Sequence, residues 1–174
     1  MLAFLIVLGV VALDQISKFL IRINLEIGER APFIPHVLGL TRSENTGASF
    51  GILKDARWVF MITSVVAIVL LTALLIWHYR QPCGKRRNAL FVTAISFVLG
   101  GGIGNMIDRL FVTGSNGEKV VTDMFEVLFF DFAIFNVADS FICVGAAMLF
   151  IYVIFFEPKF EKAQNAEKEA EGNE

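Results

Sequence analysis

The sequence predicts an all-α membrane protein, with four transmembrane helices and a small extracytoplasmic β-rich cradle or lid. Three observations carry this expectation. The 174 residues are 56% hydrophobic and only 18% charged, where soluble domains carry about a quarter charged residues, and the mean hydropathy is +0.66. The apolar residues gather in uncharged blocks, and a helix needs about 20 such residues to cross the hydrocarbon core. Between the first two blocks lies a long segment broken by Pro and Gly. The net charge of −2 offers no basic footprint for nucleic acid. Cys83 and Cys143 show neither disulfide nor metal-knuckle spacing, and His36 and His78 stand apart, so neither a metal site nor a cofactor is expected.

The first span covers about residues 2–21: residues 1–13 are apolar, and Asp14-Gln15-Ile16-Ser17-Lys18 follows. It has no basic leader and no Ala-x-Ala site, so it reads as a span and not as a cleavable signal peptide. In the outer segment 22–57, Pro32, Pro35, Gly39, Gly47 and Gly51 punctuate short apolar runs, a pattern of brief strands and turns on the membrane face. Spans two and three, at 58–77 and 89–107, contain no charge. Helices are expected throughout because backbone groups in lipid must be satisfied within the segment. An outer loop, 108–131, turns at Gly114-Ser115-Asn116-Gly117. The fourth span, 133–156, is interrupted only by Asn136 and Asp139 near its start, which puts Asp139 about two turns into it. Residues 1–157 form one membrane domain, and 158–174 are a polar cytoplasmic tail. The 78–88 loop holds Arg80, Lys85, Arg86 and Arg87 and no acid, which keeps it, and with it both termini, in the cytoplasm. The outer segment also carries Arg22, Arg30, Arg42, Lys54 and Arg57, diluted by Glu26, Glu29, Glu44 and Asp55.

Ionisable groups in or beside a span are costly and point to a functional site with a partner. Four constellations qualify, all toward the outer ends of the spans. Asp14 and Lys18 are four apart, so they share a helix face; they are either a self-neutralising pair snorkelling to the interface or a substrate contact. Asn45 in Asn45-Thr46-Gly47-Ala48-Ser49-Phe50 reads first as a turn residue. The glycines of Gly100-Gly101-Gly102-Ile103-Gly104 serve close helix packing, which leaves Asn105, Asp108 and Arg109 at the same helix end unexplained. Asp123 and Asp139 come from separate elements and meet near the outer interface. A single intramembrane Asp suits a proton relay or an ion pair. Two converging carboxylates suit an acid–base pair, in which like charges cannot both ionise.

Taken together and in this order, the constellations resemble the bacterial lipoprotein signal peptidases, or signal peptidase II. Asp14-Gln15-Ile16-Ser17-Lys18 is similar to that family's first-helix motif and Asn45–Phe50 to its outer-loop motif; Gly104-Asn105-x-x-Asp108-Arg109 and Asn136-x-Ala138-Asp139 complete the set. One motif departs: the family's first catalytic aspartate is commonly followed by Phe, whereas Asp123 is followed by Met124 and then Phe125. The resemblance implies an aspartic endopeptidase of the bacterial inner membrane, monomeric, working with membrane lipid around it and its site near the outer face. Its substrates are prolipoproteins already carrying diacylglycerol on cysteine, cut just before that cysteine, and globomycin is the associated inhibitor. Asp123 and Asp139 are the implied catalytic pair. Asn45, Asn105, Arg109 and Asn136 hold substrate or support the pair, and Asp14, Lys18, Gly104, Asp108 and Ala138 support the framework.

A rival from another class is a small proton- or ion-coupled transporter using Asp123 and Asp139 as relays. Such proteins are often built as repeats around a midplane site, and no repeat is visible in this chain. A presenilin-like protease is a poorer match, because Gly104-Asn105-Met106-Ile107-Asp108 is not Gly-x-Gly-Asp.

Overall fold

In the computed structural model the described residues are 1–47, 57–80 and 88–156. The remainder of the outer-loop motif at 48–50, the basic residues Lys85, Arg86 and Arg87, Cys83, and the 158–174 tail lie outside them. The chain runs α1 (Leu2–Asn24), β1 (Arg30–Ile34), β2 (Leu38–Asn45), α2 (Arg57–Arg80), α3 (Ala89–Phe111), β3 (Val121–Val127) and α4 (Val137–Phe155). All four helices are long and apolar enough to cross a membrane.

The packing is inside-out relative to a water-soluble protein. Large apolar side chains such as Phe4, Leu70 and Phe150 face outward, as a lipid solvent allows. The tightest interior surrounds α3, which packs on α1, α2 and α4 and contributes Val92, Ala94, Ile95 and Leu99 to the core. Lipid offers no hydrophobic drive between helices, so close approach through small residues must hold them together. A Cβ on Gly100 would lie 2.7 Å from Val10 Cβ in α1, and one on Gly145 would lie 2.8 Å from the Ala94 carbonyl in α3.

Two helix starts are fixed by asparagine. The Asn88 side chain accepts from the Leu90 and Phe91 N–H groups and caps α3. Asn136 caps α4 in a reciprocal capping box with Asp139, which satisfies donors a helix start would otherwise leave open. The fourth helix therefore begins at Val137 and not at 133. The apolar residues before it are not helical, and Phe135 makes an antiparallel bridge with Phe125. Asp139 consequently lies in the first turn of α4 and not two turns in.

The three strands form one antiparallel sheet in the order β1-β2-β3. β1 and β2 are a hairpin whose turn places His36 at φ 62. β3 comes from the 108–131 connection expected as a loop; it pairs with β2 in a register setting Ser43 opposite Asp123 and Asn45 opposite Val121. Residues two apart on a strand share a face, so Asn45 sits diagonally beside Asp123.

Candidate active site

The site is built where β3, the end of β2, the last turns of α3 and the first turn of α4 converge. β3 is tied to the chain entering α4 by hydrogen bonds from Met124 N and Phe125 N to the Phe135 carbonyl at 2.9 and 2.8 Å. That clamp brings Asp123 up to Asn136 and Asp139. Met124, standing where the resembling family commonly has Phe, is 2% exposed and fills an apolar interior position, as its flexible side chain permits.

Asparagine amides join the two carboxyl groups. Asn136 Nδ2 donates to Asp123 Oδ1 at 2.7 Å and to Asn105 Oδ1 at 3.1 Å. Asn105 Nδ2 donates to Asp139 Oδ1 at 2.8 Å, and the Asn136 backbone N–H to Asp139 Oδ2 at 3.1 Å. Asn45 Nδ2 reaches the other Asp123 oxygen at 2.9 Å, while its own Oδ1 accepts from Gly47 N. The turn role expected for Asn45 and a role at the site are thus combined in one side chain. Asp123 is 3% exposed. Burial pushes its carboxyl up to about 7; the Asn45 hydrogen bond opposes this and the Asp139 charge adds to it. Asp139 is half-buried. Both carboxyls, with Asn45, line one cleft of about 490 Å³ whose walls are Phe132, Ala133, Ile134, Phe135, Ser140 and Cys143. Two acids and apolar walls make this a place where water and an extended apolar chain can meet.

Behind this pair lies a second, fully buried charge cluster. Lys18 Nζ is 2.9 Å from Asp14 Oδ2 and 3.5 Å from Asp108 Oδ2, with all three side chains at 0% exposure. Lys18 also donates to Asn105 Oδ1 at 2.8 Å. The Asp14–Lys18 pair therefore does not snorkel: it points inward, because Asp108 and Asn105 supply partners that the interface does not. Asp14 Oδ1 accepts from the Ala138 N–H at 3.0 Å, and a Cβ on Gly104 would lie 2.5 Å from Asp14 Oδ2. Ala138 is itself 0% exposed, so a longer side chain there has no room. Asp108 also accepts from the Thr122 N–H at 3.0 Å, which anchors β3 one residue before Asp123.

Arg109 is half-buried. Its Nη1 donates to the Asn105 carbonyl at 3.2 Å, its buried Nε has no partner, and its charge acts on Asp139, Asp123 and Asp108. The other carboxylates near Asp123 lie outside the pair. Glu126 is engaged by Arg30 at 2.5 Å, and Asp131 is exposed.

Two contributors carry no role on sequence grounds. Gln15 Nε2 bridges Asp14, the Gly104 carbonyl and Asp108 at 3.1–3.2 Å. Arg22 donates to Thr122 Oγ1 at 3.0 Å and lies 3.9 Å from Asp108. Arg22 was findable, since Asp14, Lys18 and Arg22 follow one another at helical spacing of four.

The chain is similar to known proteins over most of its length. The profile of the family described as Signal peptidase (SPase) II matches residues 6–155. A protein of Halalkalibacterium halodurans named lipoprotein signal peptidase is 40% identical over 167 residues, covering 95% of this chain and all of that protein. One of the same name from Streptococcus pyogenes serotype M2 is 42% identical over 141 residues, 81% of this chain and 85% of that protein. Two solved structures described as bacterial membrane enzymes superpose with TM-scores of 0.72 and 0.73 at 30% and 29% identity. The first covers 87% of both chains, the second 88% of this chain and 93% of the other. A family profile spanning all four membrane helices, joined to relatives this similar over nearly their whole length, shows that the chain belongs to the signal peptidase II family.

Proposed function

We propose that this membrane protease is an aspartic endopeptidase in which Asp123 and Asp139 activate the water that cuts the substrate. As a signal peptidase II, the chain removes signal peptides from prolipoproteins; the transporter reading finds no support. One observation carries the catalytic assignment: Asn136 bonds both carboxyl groups, and both line the same apolar-walled cleft.

The chemistry follows general acid–base catalysis. Asp123, buried and pushed up to about 7, holds the shared proton, and Asp139, open to the cleft, is the ionised partner. Asp139 takes a proton from water as the oxygen attacks the scissile carbonyl, and Asp123 donates its proton to the carbonyl oxygen. In the collapse Asp139 protonates the departing amine, and a hydroxyl of the tetrahedral species returns a proton to Asp123, which restores both groups. Asn45 and Asn136 orient Asp123, and Asn105 orients Asp139. Arg109, whose charge acts on both carboxyls, supports the pair or holds substrate carbonyls. Asp14, Lys18, Gly104, Asp108 and Ala138 set the packing that keeps these groups aligned. No cofactor enters the scheme.

The substrate in this reading carries diacylglycerol on the cysteine after the cut. That lipid and the apolar signal helix remain in the bilayer, so the acids must come to the interface. We place the enzyme in the bacterial inner membrane as a monomer, with residues 1–157 as one membrane domain, both termini and the 158–174 tail cytoplasmic, and the sheet over the outer face. The test is conversion of a purified lipidated prolipoprotein, with and without globomycin. Asp123→Asn and Asp139→Asn should each abolish cleavage while the protein still inserts and accumulates; near-normal cleavage by either variant overturns the pair.

A further inference from the structure

The sheet carries, away from the carboxyl pair, a patch of large apolar side chains that no described residue covers. Phe33, Ile34 and Val37 project from the β1–β2 turn, and Leu128, Phe129 and Phe130 from the segment after β3; Phe129 and Phe130 are 66% and 52% exposed. The two parts form one surface. Leu128 N donates to the Val37 carbonyl at 3.1 Å. The rings of Phe129, Phe130, Phe132, Phe135, Phe125 and Phe33 touch in succession, with neighbouring centroids 4.8–6.0 Å apart. Soluble surfaces rarely expose so much contiguous apolar area without a partner.

Three features identify what covers it. The segment 128–135 runs directly into Asn136, the cap of a membrane-spanning helix, so the patch continues the lipid-facing surface of the helices. Its rings are all Phe, with none of the polar handles that seat Tyr and Trp at headgroup level. Its rim is charged: Arg30, Glu126 and Asp131 border the Phe129–Phe130 side, suited to headgroups while the rings go deeper.

We infer that residues 33–37 and 128–132 form a wedge that enters the acyl region of the adjoining bilayer leaflet. Phe132 and Phe135 belong both to the ring run and to the wall of the carboxylate cleft, so the wedge holds the mouth of that cleft below the headgroups. A lipidated substrate then enters by lateral diffusion, without lifting its acyl chains into water. Insertion stands on the patch alone; its service to catalysis rests on the Asp123–Asp139 reading.

The test puts a reporter in the wedge of the full chain. With Trp58→Phe and Trp77→Phe removing the native indoles, Phe130→Trp is reconstituted in nanodiscs whose lipids are brominated at successive acyl depths. The wedge predicts blue-shifted emission, quenching by shallow acyl bromines and protection from aqueous iodide. Red-shifted emission quenched by iodide overturns it. Emission that is blue-shifted without bromolipid quenching, and only when two copies share a disc, also overturns it, because the patch then pairs protein chains. In activity assays, Phe129→Ser combined with Phe130→Ser should raise KM for lipidated prolipoprotein in bilayers by about tenfold, from the apolar area lost, and leave kcat unchanged. The same variant should cut the substrate normally in detergent, where no leaflet has to be entered. An equal loss in both media overturns the delivery role. Full activity of Asp139→Asn with intact bromolipid quenching would instead sink the catalytic pair and leave the wedge standing.

Discussion

Asp123→Asn should separate stability from activity, and the size of the effect follows from burial. The carboxyl lies at about 7 in the fold against 3.8 for the free side chain. At about 1.4 kcal/mol per tenfold in proton affinity, the ionised group is about 4 kcal/mol less favourable folded than unfolded. Because the folded value is raised, this group's stability is fully present below 3.8 and is lost as pH rises through about 7. Asparagine at 123 is neutral throughout and escapes that loss. It also turns an amide donor toward Asn45 Nδ2, whose own oxygen is already taken by Gly47 N, a mismatch worth about 1–3 kcal/mol. The variant should therefore be more stable than wild type by about 1–3 kcal/mol near pH 8 and less stable by a similar amount near pH 4, while cleaving nothing. Thermal melting of the purified protein across this range, at about 2–4 °C per kcal/mol, reads the crossover, and a gel shift of prolipoprotein reads activity. Parallel melting curves at every pH, or a variant that melts below wild type near pH 8, would refute the reasoning that Asp123 is held neutral by burial.

Other outcomes follow from the same geometry. In the proposed scheme Asp123 enters the reaction protonated, so kcat/KM should fall as pH rises through about 7; a rate that keeps climbing beyond that point removes Asp123 as the acid. Lys18→Met leaves Asp14 buried without its cation and Asp108 with Arg22 alone, 3.9 Å away, and should cost about 3–5 kcal/mol, seen as poor accumulation or a large fall in Tm. Adding Asp14→Asn should recover part of that loss, and strict additivity of the two changes would show that they do not form a buried pair. Gly104→Ala drives a methyl against the Asp14 carboxylate, which Lys18, Gln15 and Ala138 already hold in place. It should lower stability by about 1–3 kcal/mol, and an unchanged Tm would mean that α1 and α3 can move apart freely.

Much of the fold is legible because membrane helices announce themselves through composition: uncharged runs at 58–77 and 89–107 have few other readings. The polar residues of the site stand out for the same reason, since each breaks a pattern that lipid enforces. β3 was hidden. Its pairing with β2 joins residues such as Asn45 and Val121, far apart in sequence, and Val121–Val127 is too short and too mixed to declare itself beside a long apolar span. The start of α4 was hidden by the apolar residues 132–135, which suit a helix as well as the bridge Phe135 makes to Phe125; only the cap geometry of Asn136 separates the two. The direction of Lys18 could not be read either, because a pair four residues apart looks the same snorkelling or buried. Only the convergence of Asp108 and Asn105 from another helix decides it.

The asparagines between the two charged groups have a further consequence. Lys18, Asp14 and Asp108 lie on one side of Asn105 and Asn136, and Asp123 and Asp139 on the other, all linked by hydrogen bonds. A side-chain amide passes on orientation but does not titrate. The interior thus holds two charged clusters in mechanical contact through neutral amides: the inner cluster can stiffen the pair without passing a proton through that joint, while the Lys18 charge still reaches Asp123 and favours its ionised form. Replacing Asn105 with aspartate would put a titratable group into that joint and open a route for proton exchange between the two clusters.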